Sequence, residues 1–156
     1  MDMVELLTET LSALELTFEF DRLNESFILN FHEEKTGRYA IIIQALSGAA
    51  QLRARFLAGE SDTFNPALAA RAAILTYELD LQIGADPRDG EIEARLRVDL
   101  IAVEPAVRGR MLQRTIKRFL KNQSLARAIL QQDGREDPQS PRFPDLLALR
   151  DIQPSA

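Results

Sequence analysis

Two short stretches hold residue types that could do chemistry. His32-Glu33-Glu34 is the one local cluster of ligand-type side chains. On a strand, His32 and Glu34 point to the same side, where a divalent metal could bind across a dimer axis. A solvated strand end on the polar face accounts for the same three residues. Glu91 and Glu93, beside Arg95 and Arg97, could form an acid–base set. They alternate on the outer face of a strand, and cross-strand salt bridges explain them without chemistry.

The rest of the inventory narrows the reaction classes. The chain has no cysteine and a single histidine, which removes thiol nucleophiles and any multi-histidine metal site within one chain. A Ser-His-Asp triad could form only through His32. No phosphate loop of the Gly-x-x-x-x-Gly-Lys type, no Gly-x-Gly-x-x-Gly and no Gly-x-Ser-x-Gly occurs. No catalytic, cofactor-binding or metal site is expected, and the chain is read as a non-enzyme. The remaining enzyme class is a hydrolase that works with carboxylates alone.

A third candidate is electrostatic. Net charge is −5, but residues 1–34 carry nine acids against one base, and residues 104–132 seven bases against one acid. The basic residues Arg108, Arg110, Arg114, Lys117, Arg118, Lys121 and Arg127 could meet phosphates, so direct nucleic-acid binding through the helix 105–131 is one reading. It is disfavoured: the protein is acidic overall, and the strands show no paired exposed aromatics for base stacking. A solvated helix whose charge offsets the acidic head is the plainer one.

These residues need elements to position them. Val4, Leu7, Leu11 and Leu14 share one face of a helix over 3–14. The period then becomes two. Leu16, Phe18 and Phe20, then Phe27, Leu29 and Phe31, then Tyr39, Ile41, Ile43 and Ala45, then Leu52, Ala54 and Phe56 mark four strands. Their turns fall at Arg22–Glu25, at Lys35-Thr36-Gly37 with Gly37 free to take positive φ, and at Ser47-Gly48-Ala49. Asn65-Pro66 caps and opens an alanine-rich helix with Leu68, Ala72, Leu75 and Leu79 inward. A hairpin turning at Asp86–Gly90 leads to a strand with Ile92, Ala94, Leu96, Val98 and Leu100 on one face. Pro105 starts a long helix to about Gln132, with a break near Asn122 and a stripe of Val107, Met111, Ile116, Phe119 and Leu120. The order α-β-β-β-β-α-β-β-α gives an α+β fold, an antiparallel sheet with helices on one face, followed by an extended tail.

Residues 1–132 are expected to form the domain, and 133–156, which hold four of the seven prolines, the C-terminal tail. Most positions out of phase with the core are polar, but Ile28, Ile42, Leu46 and Leu57 are not. They are the candidate dimer or partner surface. Phe143, Leu146, Leu147, Leu149 and Ile152 are too apolar for a spacer and are the candidate tail-docking residues. No apolar run is long enough to span a membrane, and the acidic start does not resemble an export signal.

The order of elements resembles a known family. An acidic N-terminal helix ends in Leu14-Glu15-Leu16, followed by Phe18-Glu19-Phe20 and the strand Phe27-Ile28-Leu29-Asn30-Phe31. A small-residue helix ends in Leu75-Thr76-Tyr77-Glu78-Leu79, a charged hairpin crosses Asp89-Gly90, and a long basic helix closes the domain. Over residues 1–132 this is similar to the bacterial YbjN family, whose fold is similar to type III secretion chaperones. The resemblance implies a cytoplasmic homodimer that binds a partner protein, chaperone-like or as a regulator, and catalyses nothing. Independently, the charge of residues 1–34 would steer a basic partner, nucleic-acid-binding proteins among them.

Overall fold

A computed structural model describes residues 1–56, 66–85 and 91–134. Leu57, Asn65, the Asp86–Gly90 turn and the tail-docking residues lie outside these. The described elements are α1 (Met3–Ala13), β1 (Glu19–Asp21), β2 (Ser26–Glu33), β3 (Gly37–Leu46), β4 (Ala49–Phe56), α2 (Pro66–Leu79), β5 (Gln82–Ala85), β6 (Ile92–Asp99) and α3 (Pro105–Gly134). The strands form one antiparallel sheet in the order β1-β2-β3-β4-β6-β5. Three hairpins build it outward from β1. The chain then crosses through α2 to the far edge and returns, so β6 fills the place beside β4.

Period-two alternation decides which face is buried. Phe27, Leu29, Ile41, Ile43, Leu52, Ala54, Phe56, Ile92, Ala94 and Ile83 point to one side, where they meet Leu7 and Leu11 of α1, Leu75 and Leu79 of α2 and Leu112, Ile116 and Phe119 of α3 in a single core. α3 crosses β4 and β6, with α1 on one flank and α2 on the other. The fold class expected from the sequence is the observed one.

Local chemistry explains the element ends. Asp2 caps α1, its Oδ1 accepting from the amides of Val4 and Glu5 at 3.0 and 3.2 Å. The helix stops in a Schellman motif: the Leu16 amide donates to Leu11 O and the Glu15 amide to Ser12 O, with Glu15 at φ 57°. That turn carries Leu16 and Phe18 onto the core as half-buried loop residues, so the first strand is only Glu19–Asp21 and not the longer run its alternation predicts. Gly37 (φ 81°) and Gly48 (φ 67°) close the next two hairpins.

Two expectations for α3 are corrected. The helix runs unbroken through Asn122, whose Nδ2 donates to Leu79 O of α2 at 2.9 Å and so ties two helices instead of ending one. Val107 and Met111 are exposed, at 39% and 41%. The buried stripe is Leu112, Ile116, Phe119, Gln123, Ala126, Arg127 and Leu130, whose three- and four-residue steps leave Val107 and Met111 on the other side.

At the β5 edge, Thr76 Oγ1 accepts from the Ile83 amide at 2.9 Å and lies 3.2 Å from the Ile83 carbonyl and the Ala72 carbonyl. A side chain of α2 thus occupies the outward backbone groups of Ile83 in the edge strand.

Candidate functional site

Both stretches that the sequence offered for chemistry are engaged in structure. Glu93 is bridged by Arg53 from β4 (Nε–Oε1 2.5 Å) and by Arg95 from its own strand (3.1 Å), and Arg55 reaches Glu91 (3.3 Å) and Arg97 reaches Asp99 (3.0 Å). Burial alone would raise the Glu93 carboxyl, but the bonds and charges of Arg53 and Arg95 outweigh it and hold it below its ordinary value. The alternating charges of β6 are a salt-bridge ladder, as alternation on an outer face suggested.

The three residues of the His32 cluster separate. His32 and Glu34 are exposed, with His32 opposite Arg38. Glu33 faces the other way, into the helix layer. Its carboxylate accepts from Tyr39 Oη, from Thr36 Oγ1 at 2.9 Å and from Ser124 Oγ at 2.9 and 3.1 Å. Burial would raise the Glu33 carboxyl, yet these hydrogen bonds, with the charge of Arg127, keep it below its ordinary value. Burial and the bond to Glu33 push the Tyr39 hydroxyl up. Among the described residues no group of three metal-ligand side chains comes together.

Next to Glu33 lies a residue that the sequence reading counted among the bases able to meet phosphates, and its burial corrects that reading. Arg127 is 3% exposed. Its guanidinium stacks 3.9 Å from the centre of the Tyr39 ring and 5.0 Å from that of Phe56, and one nitrogen donates to Gln123 Oε1 at 3.3 Å. Its Nε has no hydrogen-bond partner. Burial draws the guanidinium pKa down against the pull of Tyr39 and Glu33, but an arginine stays charged in a protein. Gln123 Nε2 also donates to Tyr39 Oη at 3.1 Å. The signal in the sequence was positional: Gln123 and Arg127 continue the stripe of Ile116 and Phe119, and only their polarity hid them.

The expected partner surface is brought together only in part. Ile28 and Ile42 are direct cross-strand partners on the face away from the helices, flanked in the same row by Glu19 and Arg53. Leu46 lies four residues further along β3, about 13 Å away, with Gln44 between. All three are half-buried. The more exposed apolar side chains are elsewhere. On α2, Ile74 (48%) and Tyr77 (88%) stand with Ala70 and Ala73 on the outward side. Among the described residues no helix is long and apolar enough to cross a membrane.

Comparisons with known proteins bear on this architecture. No family model matches the chain, and no curated protein matches it. The YbjN assignment therefore stays a resemblance. Solved structures do match. A chain of the crystallised ExsC–ExsE complex is similar at a TM-score of 0.56 with 16% identity, over 81% of this chain and 92% of that one. An uncharacterized protein from Methanothermobacter thermautotrophicus is similar at a TM-score of 0.52 with 10% identity, over 83% and 97%. At these identities the likeness is one of fold.

Proposed function

We propose that this protein is a non-catalytic protein-binding module, chaperone-like or regulatory, that acts as a cytoplasmic homodimer on a partner protein. The observation that carries the reading is the likeness of its fold to a chain crystallised in a complex of two proteins. Two apolar areas support it: the Ile28–Ile42 pair on the sheet, and Ile74 with Tyr77 on α2. The acidity of residues 1–34 favours a basic partner through long-range steering.

The competing hydrolase would need one carboxyl kept protonated near neutral pH as general acid. Glu33 and Glu93 are both shifted the opposite way and both are saturated with donors. Hydrolase and phosphatase screens of the pure protein are expected to find no turnover. Turnover that disappears in Glu33→Gln or Glu93→Gln would overturn the reading.

Light scattering is expected to give twice the chain mass of 17.6 kDa at micromolar concentration. Ile42→Glu and Tyr77→Glu then assign the contact, since only the variant at the interface should dissociate the dimer while keeping its circular dichroism. A monomeric mass throughout would remove the dimer from the proposal.

A further inference from the structure

Of the seven basic residues in α3, two are used by the fold. Arg127 is buried between rings, and Arg108 donates to the carbonyls of Leu100 and Ile101 at 3.0 and 3.2 Å. The other five, Arg110, Arg114, Lys117, Arg118 and Lys121, are exposed. Among the described residues none of them is paired with an acid. The contrast with the sheet is direct, where Arg53, Arg55, Arg95 and Arg97 each meet a carboxylate.

Spacing makes the five a continuous surface. Arg110, Arg114, Lys117 and Lys121 follow steps of four, three and four, which sets them in one line over three helical turns, about 17 Å. Like charges at those spacings repel and destabilise a helix. The fold carries this repulsion unrelieved, as expected for a face whose counter-charges come from outside the chain. Val107 and Met111 lie exposed toward one side of the line, Met111 with the pliable side chain common on protein-binding surfaces.

We propose that the outward face of α3 docks an acidic, amphipathic segment of a protein partner. Carboxylates of that segment meet the line of cations, and its apolar side chains cover Val107 and Met111. The occupant is protein and not nucleic acid because phosphates would leave the two exposed apolar side chains uncovered. The inference rests on the partner-binding reading and adds a surface opposite in sign to the acidic head.

The test is fluorescence anisotropy on the full chain with a labelled helical peptide carrying Glu at every third or fourth position beside a leucine face. The same peptide with Lys for Glu, a single-stranded DNA and a duplex serve as comparisons. The acidic peptide is expected to bind in low salt and to weaken as salt rises. Arg114→Glu with Lys117→Glu should cost ~10-fold or more in affinity, and Met111→Ser a smaller factor with unchanged salt dependence. All three side chains are exposed, so circular dichroism should not change. If the double reversal does not fold, Arg114→Gln with Lys117→Gln reads the same loss at smaller amplitude. Peptide binding that survives the substitutions overturns the site, as does DNA binding tighter than the peptide's. A native chain that ignores the acidic peptide yet runs as a dimer overturns the α3 site and leaves the partner-binding reading in place.

Discussion

Glu33 takes hydrogen bonds from three hydroxyls, and every one of those donors would lose its acceptor if the carboxylate went. Glu33→Ala should therefore cost about 1–3 kcal/mol, the usual penalty for stranded polar groups, measured by urea unfolding. Glu33→Gln separates the charge from the hydrogen bonds. Because the folded carboxyl titrates below its ordinary value, the native state binds fewer protons than the unfolded chain through the acid range. Its contribution is then complete above about pH 5 and lost as pH falls through the folded value. Stability curves of native protein and Glu33→Gln should converge on acidification. Parallel curves would mean that the carboxylate contributes no charge-dependent stability. Arg127 is expected to behave differently. Its stem packs well, while its Nε is an unpaired buried donor. Arg127→Met keeps the packing and removes that donor, so a change within about 1 kcal/mol is expected, against a loss of about 2–4 kcal/mol for Arg127→Ala.

The elements differ in how openly the sequence announced them. β6 alternates strictly, and β2 and β3 do so apart from Ile28, Ile42 and Leu46, because one face meets the helices, and a period of two records that division directly. β1 was overread, since Leu16 and Phe18 are apolar for the sake of a loop packed on the core. α3 was misread at both ends of its stripe. Val107 and Met111 looked like core by type, whereas Gln123 and Arg127 looked like surface. In each case tertiary placement overrode residue type. Of the candidate surface, the place of Ile28 and Ile42 on the outer face was legible from strand phase, while their pairing was not, and neither was the buried guanidinium, since its neighbours Tyr39 and Phe56 are distant in sequence. The turns offer a paired test. Glu15 and Gly48 both sit at positive φ, one with a Cβ and one without. Glu15→Gly should raise stability and Gly48→Ala lower it, each by about 1 kcal/mol. A Cβ on Gly48 would also strike the Ile101 side chain, which is 70% exposed and can swing away. Adding Ile101→Ala to Gly48→Ala should thus recover little. Full recovery would show that crowding, not backbone conformation, sets the cost.

At the scale of the molecule, the described residues assemble one core that reaches from Met3 to Leu130 and joins all three helices to the sheet. Truncation after residue 133 is therefore expected to leave a cooperative melt with the same circular dichroism, and loss of cooperativity would place part of 134–156 in the folding unit. The proposed role of Phe143, Leu146, Leu147, Leu149 and Ile152 in docking predicts that the same truncation alters dimer strength or partner affinity.

The hydroxyl of Thr76 at β5 has a consequence for how this sheet can grow. Open sheets polymerise when both edges accept a neighbour's strand. Here the Ile83 backbone is already occupied at one end, while among the described residues the outer edge of β1 has no neighbour. Among the described residues, one edge is open and the other is plugged at Ile83, an asymmetry that favours pairing of two copies through β1 over growth into a chain. Thr76→Val keeps the shape and removes the plug. The variant should show faster amide exchange at Ile83 and, on prolonged incubation, more thioflavin-positive fibre than the native protein.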